Sequence, residues 1–161
     1  MEIDRASRET LRYLLAEYLK GPAVPYSIKP IATKYSIPPS ILSDYLLENG
    51  WIRDRWIYQN GDVTCKITIK GIEEVDAVYV RTKLRHVIGG LGASGGTKDL
   101  TDLLEIKISE YSITMDIIKQ LENLGFIRVL HPESSIVIEL TEQGWKYYEK
   151  GSRSFFTLMS Y

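Results

Sequence analysis

The sequence predicts an α+β chain, mostly helical with small β-hairpins, built as two small tandem domains joined by a shared helix. Three observations carry this. Apolar residues recur at three- and four-residue spacing up to Gly50 and alternate after it. Asn60-Gly61 stands between two alternating runs, a strong short-range hairpin signal. The same order of signals then returns roughly 75 residues later, as a structural repeat would.

Ile3, Leu11, Leu14, Leu15, Tyr18 and Leu19 form the stripe of an amphipathic helix over 3–20, which Gly21-Pro22 ends. A short second helix opens at Ser27 with Pro30 in its first turn, where a missing N–H costs nothing. A turn at Ser36-Ile37 leads to a third helix from Pro38-Pro39-Ser40, burying Ile41, Leu42, Tyr45 and Leu46 and stopping at Asn49-Gly50. Residues 51–58 and 63–69 then alternate around a two-residue turn. Centring the hairpin on Asn60-Gly61 pairs Tyr58 with Val63, Trp56 with Cys65 and Arg55 with Lys66. One face is then apolar, through Trp56, Tyr58, Val63, Cys65 and Ile67. The opposite face carries Arg53, Arg55 and Lys66. Thr68 caps a closing helix, and Ile72, Val75, Val78, Tyr79, Leu84, Val87, Ile88 and Leu91 continue at helical spacing, so one helix over about 70–89 is expected to close the first domain, open the second and hold them rigidly.

Three ordered matches define the repeat: Tyr35-Ser36-Ile37 with Tyr111-Ser112-Ile113, Asn49-Gly50-Trp51-Ile52-Arg53 with Leu124-Gly125-Phe126-Ile127-Arg128, and Ile67-Thr68-Ile69-Lys70-Gly71 with Leu140-Thr141-Glu142-Gln143-Gly144. Each copy reads helix, helix, helix, two-stranded wing, closing helix. This resembles the winged helix-turn-helix family, in which the third helix ends in Gly-aromatic-Ile and a Leu-Thr-x-x-Gly segment follows the wing. The resemblance covers nearly the whole chain and implies a winged-helix domain at 1–75, a second at 76–151, and an apolar tail at 152–161. It also implies either a DNA reader or a protein-docking module, since the family serves both ends.

Composition narrows the chemistry. The 161 residues hold 20 Lys+Arg and 21 Asp+Glu, divided as ten and ten through residue 75 and ten and eleven after it. Neither domain is a polycation, so any polyanion contact must come from a local basic face. One cysteine, Cys65, and two histidines, His86 and His131, are too few for a structural zinc site or an internal disulfide. The acidic N-terminus is unlike a secretory signal and no run is apolar enough to span a bilayer, so a cytoplasmic protein is expected, with no membrane, metal or cofactor.

Motifs for catalysis are weak. Gly90, Gly95 and Thr97 keep a phosphate-loop spacing, but Gly96 stands where that loop needs lysine and a helix precedes it, so a flexible interhelical loop is expected over 89–96. Glu105-Ile106-Lys107 with Asp99 and Asp102 fits a solvated helix face better than a metal-dependent nuclease. His131-Pro132 reads as a wing-tip turn. No enzyme is expected.

The functional lead is the face of Arg53, Arg55 and Lys66, where like charges across strands cost stability that an anionic partner would relieve and that Asp54, Asp62 or Glu73-Glu74 would otherwise neutralise. Lys34 on the second helix adds to it. The third helices would offer Ser40, Ser43, Asp44 and Glu48 in one copy, and Ser112, Thr114, Asp116, Lys119 and Gln120 in the other. The leading expectation is a transcriptional regulator that binds double-stranded DNA through Arg53, Arg55, Lys66, Lys34, Ser40, Ser43, Ser112, Thr114 and Lys119. The rival is a non-catalytic protein-interaction module, in the way that tandem winged helices resemble subunits of membrane-sorting and chromosome-condensation complexes. In the tail, Phe155, Phe156, Leu158 and Met159 either pack on their own core or touch a partner or a second copy.

Overall fold

A computed structural model describes residues 2–20, 24–103, 111–133 and 135–158, with side chains for all of these except 101, 111, 112 and 151–158. The elements run α1 (Glu2–Lys20), β1 (Tyr26–Ser27), α2 (Lys29–Lys34), α3 (Pro39–Glu48), β2 (Ile52–Ile57), β3 (Val63–Ile67), α4 (Ile69–Ala93), β4 (Thr97–Asp99), α5 (Leu100–Leu103), α6 (Tyr111–Asn123), β5 (Ile127–Leu130), β6 (Val137–Leu140) and α7 (Glu142–Leu158). The chain is mixed helix and antiparallel sheet, and it divides into two compact units, Met1–Ala77 and Val78–Tyr161.

The helix expected to run unbroken over 70–89 is interrupted. Asp76 lies inside α4 at φ −152°, ψ 72°, outside the helical region. That breaks the helical run one residue before the end of unit 1 at Ala77. The part of α4 up to Ala77 therefore closes unit 1, and the part from Val78 opens unit 2.

In unit 1, α1 buries Leu11, Leu14, Leu15 and Tyr18 against Ile28, Leu42, Leu46, Val63, Cys65, Ile67 and Ile72. Each such aliphatic side chain contributes about 1.5–3 kcal/mol by leaving water. In unit 2, Leu84, Val87, Ile88 and Leu91 occupy the same places on the second half of α4, each 73 positions on from its α1 counterpart. The two sheets match strand for strand. Their orders are β1-β3-β2 and β4-β6-β5, with Tyr26 opposite Cys65 and Ser27 opposite Thr64 in the first, Lys98 opposite Ile138 and Asp99 opposite Val137 in the second. Ile28 N–H donates to the Val63 carbonyl at 3.1 Å, and Leu100 N–H to Ile136 at 2.9 Å. The sequence reading missed β1 and β4, because two- and three-residue strands are too short to show a period.

Both third helices end identically. Gly50, at φ +72°, donates to Leu47 and Trp51 to Leu46; Gly125, at φ +82°, donates to Glu122 and Phe126 to Leu121. This paired left-handed closure needs glycine, and it aims the next strand back along the helix. The closing helices are locked in the same way. Thr68 Oγ1 donates to the Gly50 carbonyl at 2.7 Å and accepts from Gly71 N–H at 3.0 Å; Thr141 Oγ1 does so with Gly125 at 2.6 Å and Gly144 at 3.1 Å. A Cβ on Gly71 would overlap the Trp51 carbonyl, and one on Gly144 the Phe126 carbonyl. Glycine is thus required at the close approach between helix and strand.

One of the three repeat matches fails. Tyr35-Ser36-Ile37 is the turn after α2, with Ser36 left-handed at φ 53°, whereas Tyr111-Ser112-Ile113 is the first turn of α6. The glycine stretch is also reassigned: Gly89, Gly90 and Gly92 lie inside α4, and Gly95 and Gly96 cap it at positive φ before β4. Only three residues separate helix from strand there, so the interhelical loop does not exist. α7 continues through the segment expected as a tail as far as Leu158.

Candidate interaction surfaces

The first hairpin differs from its expected register by one residue. Tyr58 N–H donates to the Asp62 carbonyl at 2.9 Å, leaving a three-residue loop, Gln59-Asn60-Gly61, with Gly61 at φ +85°. Such loops place their glycine as a bulge after a turn, which displaces the pairing from that of a two-residue turn. Ile57 faces Val63 and Trp56 faces Thr64; a second irregularity at Asp54, φ 53°, then sets Arg53 opposite Lys66 and Ile52 opposite Ile67. Arg55 is therefore not opposite Lys66.

This register decides the charges. The bulge carries the Asp54 carboxylate to Arg53 Nη1 at 3.8 Å and to Lys66 Nζ at 3.5 Å. Arg55 crosses to α3, where it pairs with Asp44 and donates to Ser43 Oγ at 3.3 Å. Lys34 pairs with Glu9 of α1 at 2.6 Å, and Tyr35 donates to the same carboxylate at 2.5 Å. The Lys34 hydrogen bond, then that of Tyr35, hold the Glu9 carboxyl below its ordinary range. All four basic residues thus have acidic partners within the fold.

The helix residues separate into three groups. Ser43 and Thr114 are buried, contrary to the expectation that they face outward. Ser43 Oγ donates to the Ser40 carbonyl at 2.9 Å, which holds it inward. Ser40 is half-buried and Lys119 is exposed. Ser112 lies in the first turn of α6, and Phe155, Phe156 and Leu158 lie in α7, with no side chain described; Met159 and Glu105-Ile106-Lys107 are outside the described residues.

Large apolar side chains of unit 1 stand exposed beside these ion pairs. Trp56 is 64% exposed, Ile41 52%, Ile57 49%, Tyr58 47% and Leu47 41%. Ile41 was expected inside, and Trp56 and Tyr58 on the inner hairpin face. On α3 the buried face is made by Leu42, Ser43 and Leu46, and Ile41 and Leu47 lie on its flanks, outside that face. The pairs Ile41-Leu42 and Leu46-Leu47 were the available signal.

In unit 2 the crevice between α6 and the β5–β6 hairpin is a cavity of about 270 Å³. Leu100, Met115, Ile118, Val129, Ile136 and Ile138 line it, with Lys119, Glu122 and His131 also on its wall. Arg128 pairs with Glu139 across the strands at 3.5 Å. No described helix is long and apolar enough to cross a membrane, and among the described residues no group of three or more His, Cys, Asp or Glu is placed to hold a metal ion. Cys65 on β3, opposite Tyr26 of β1, is buried, and burial pushes its thiol up to about 12.

No family model, curated protein or solved structure matches this chain.

Proposed function

We propose that both units are winged helices and that the chain is a non-catalytic, cytoplasmic protein-interaction module that docks through the apolar surface of unit 1. Support for the domain type comes from the shared order of helices and three-stranded sheet and from the repeated Thr-x-x-Gly lock. One observation carries the function: Arg53, Arg55, Lys66 and Lys34 are each held by an acid of the fold, while Ile41, Leu47, Trp56, Ile57 and Tyr58 remain exposed. Exposed aromatic side chains with apolar neighbours, as at Trp56, Ile57 and Tyr58, are what protein interfaces concentrate. A DNA interface instead needs cations free to replace counterions at phosphates, and Asp44 and Asp54 stand where they would repel them.

Double-stranded DNA is the second reading, favoured by the exposed Lys119 on the helix that would enter a groove. Fluorescence anisotropy with generic duplex at low and moderate salt separates the two. The docking reading expects no binding at low salt. It also expects stoichiometric proteins from the native source on a wild-type bait and their loss from a Trp56→Ser, Ile57→Ser, Tyr58→Ser bait, which should fold normally because these positions are exposed. Salt-sensitive duplex binding that weakens when Arg53, Arg55 and Lys66 become Ala would replace docking with a DNA-binding regulator.

A further inference from the structure

We propose that the crevice between α6 and the β5–β6 hairpin of unit 2 is a binding site for a small amphiphilic carboxylate, its apolar chain among Leu100, Met115, Ile118, Val129, Ile136 and Ile138 and its head at Lys119. The inference goes beyond the docking reading and is independent of it, since it concerns a different unit and a different surface.

Unit 1 shows what this crevice holds when it is filled from within. There Arg55 reaches from the hairpin to α3 and its guanidinium ends on Asp44 and Ser43. Alignment of the two units on Gly50 and Gly125 sets Lys119 where Asp44 stands and Ile118 where Ser43 stands. Alignment on the strand pairs sets Val129, opposite Ile138, where the bulged Asp54-Arg55 stands opposite Cys65. The filling arginine is gone and its acidic receptor has become a cation. An apolar stem with a cationic head completes the crevice of unit 1; the complement of the crevice in unit 2 is an apolar stem with an anionic head.

Size restricts the class further. At about 270 Å³ the cavity lies just below the ~300–1,000 Å³ range of drug and cofactor pockets, which suits a ligand smaller than a nucleotide or flavin. At roughly the 30 Å³ share of one water per heavy atom, it holds about nine heavy atoms, which is an eight-carbon chain with its carboxylate at the mouth. His131 lines the crevice from the hairpin side and Lys119 from α6, while Glu122, one turn on from Lys119, offsets part of the lysine's charge. The head-group preference should therefore be about tenfold, the scale of one screened ion pair with a hydrogen bond, and not several hundredfold.

The test titrates the full chain with linear carboxylates from butanoate to decanoate, read by backbone amide shifts and calorimetry, with methyl octanoate and octylammonium as controls. Affinity should rise about fourfold per methylene up to octanoate and then level off, with shifts centred on Met115, Val129 and Ile136. The ester and the ammonium should bind about tenfold more weakly. Lys119→Glu, an exposed position whose change should leave the fold intact, should reverse the preference toward octylammonium. Rebuilding the unit 1 pair with Lys119→Asp and Val129→Arg should abolish binding, with unchanged amide dispersion as the check on folding. Shifts elsewhere in the chain, no saturation at millimolar ligand, or equal binding of all three head groups would each overturn the proposal.

Discussion

The two units share a frame but differ in what the frame encloses. In both, a helix ends in a left-handed glycine, a threonine caps the next helix on that glycine's carbonyl, and a second glycine receives the carbonyl of the following aromatic residue. In unit 1 Arg55 bridges from the hairpin to Asp44 on α3, and exposed apolar residues stand at the hairpin tip and on α3. In unit 2 the gap is open and apolar, with Lys119 on its wall. Backbone closures repeat because their geometry admits few residues. Crevice residues vary because many fillings satisfy the same backbone.

The largest effect should fall on the shared part. Gly71→Ala and Gly144→Ala each force a Cβ into a backbone carbonyl that cannot move without displacing a strand, at a cost of about 3 kcal/mol, the upper end of overpacking. Urea denaturation should show both losses. Tolerance at one site alone would mean that the locks are not equivalent.

A middle-sized effect should follow from making unit 1 resemble unit 2. Arg55→Val removes a partly exposed ion pair and a hydrogen bond to Ser43, with a loss of about 1 kcal/mol, and leaves no buried charge, because Asp44 is solvent-accessible. Amide hydrogen exchange should report faster opening between α3 and β2, with unit 2 unaffected. No change in protection would show that the arginine does not bridge the crevice in solution.

The smallest effect concerns acid. Glu9 is held below its ordinary range by Lys34 and then Tyr35, and Asp4 chiefly by the Tyr45 hydroxyl, tying α1 to α2 and α3. A depressed carboxylate adds stability that is present above its unfolded value and lost as the pH falls through the folded one, so these ties should weaken below about pH 4. The places 73 positions on hold Thr82, which bonds within its own helix to Val78, and Ala77. Between pH 6 and pH 3 unit 1 should therefore lose more melting temperature than unit 2, and Glu9→Gln should flatten part of that difference. Equal acid sensitivity of the two units would show that the ties contribute nothing in solution.

Much of the backbone frame was legible without coordinates. Gly50 and Gly125 after apolar helices, the threonine three residues before Gly71 and Gly144, and the hairpins themselves depend on residues within about five positions of each other, where sequence signals are strongest. The loop of the first hairpin was legible as a turn but not as to length, and that residue together with the bulge at Asp54 set the hairpin register. A shift of one residue in a strand transfers side chains to the opposite face, so Trp56 and Tyr58 came out and Arg55 went to α3. The apparent basic face was correct in composition and wrong in company, because Asp44 and Asp54 meet those cations only across a helix–strand gap and a bulge.

Local order was thus written in local chemistry: caps, left-handed glycines, helical and alternating periods, and a near-neutral charge spread over both halves. The tertiary structure alone decided the break at Asp76, the two short strands that complete the sheets, the pairing of Lys34, Arg53, Arg55 and Lys66 and the cavity of unit 2. Those features arise from contacts between residues far apart in the chain, and the distances between them are set by packing.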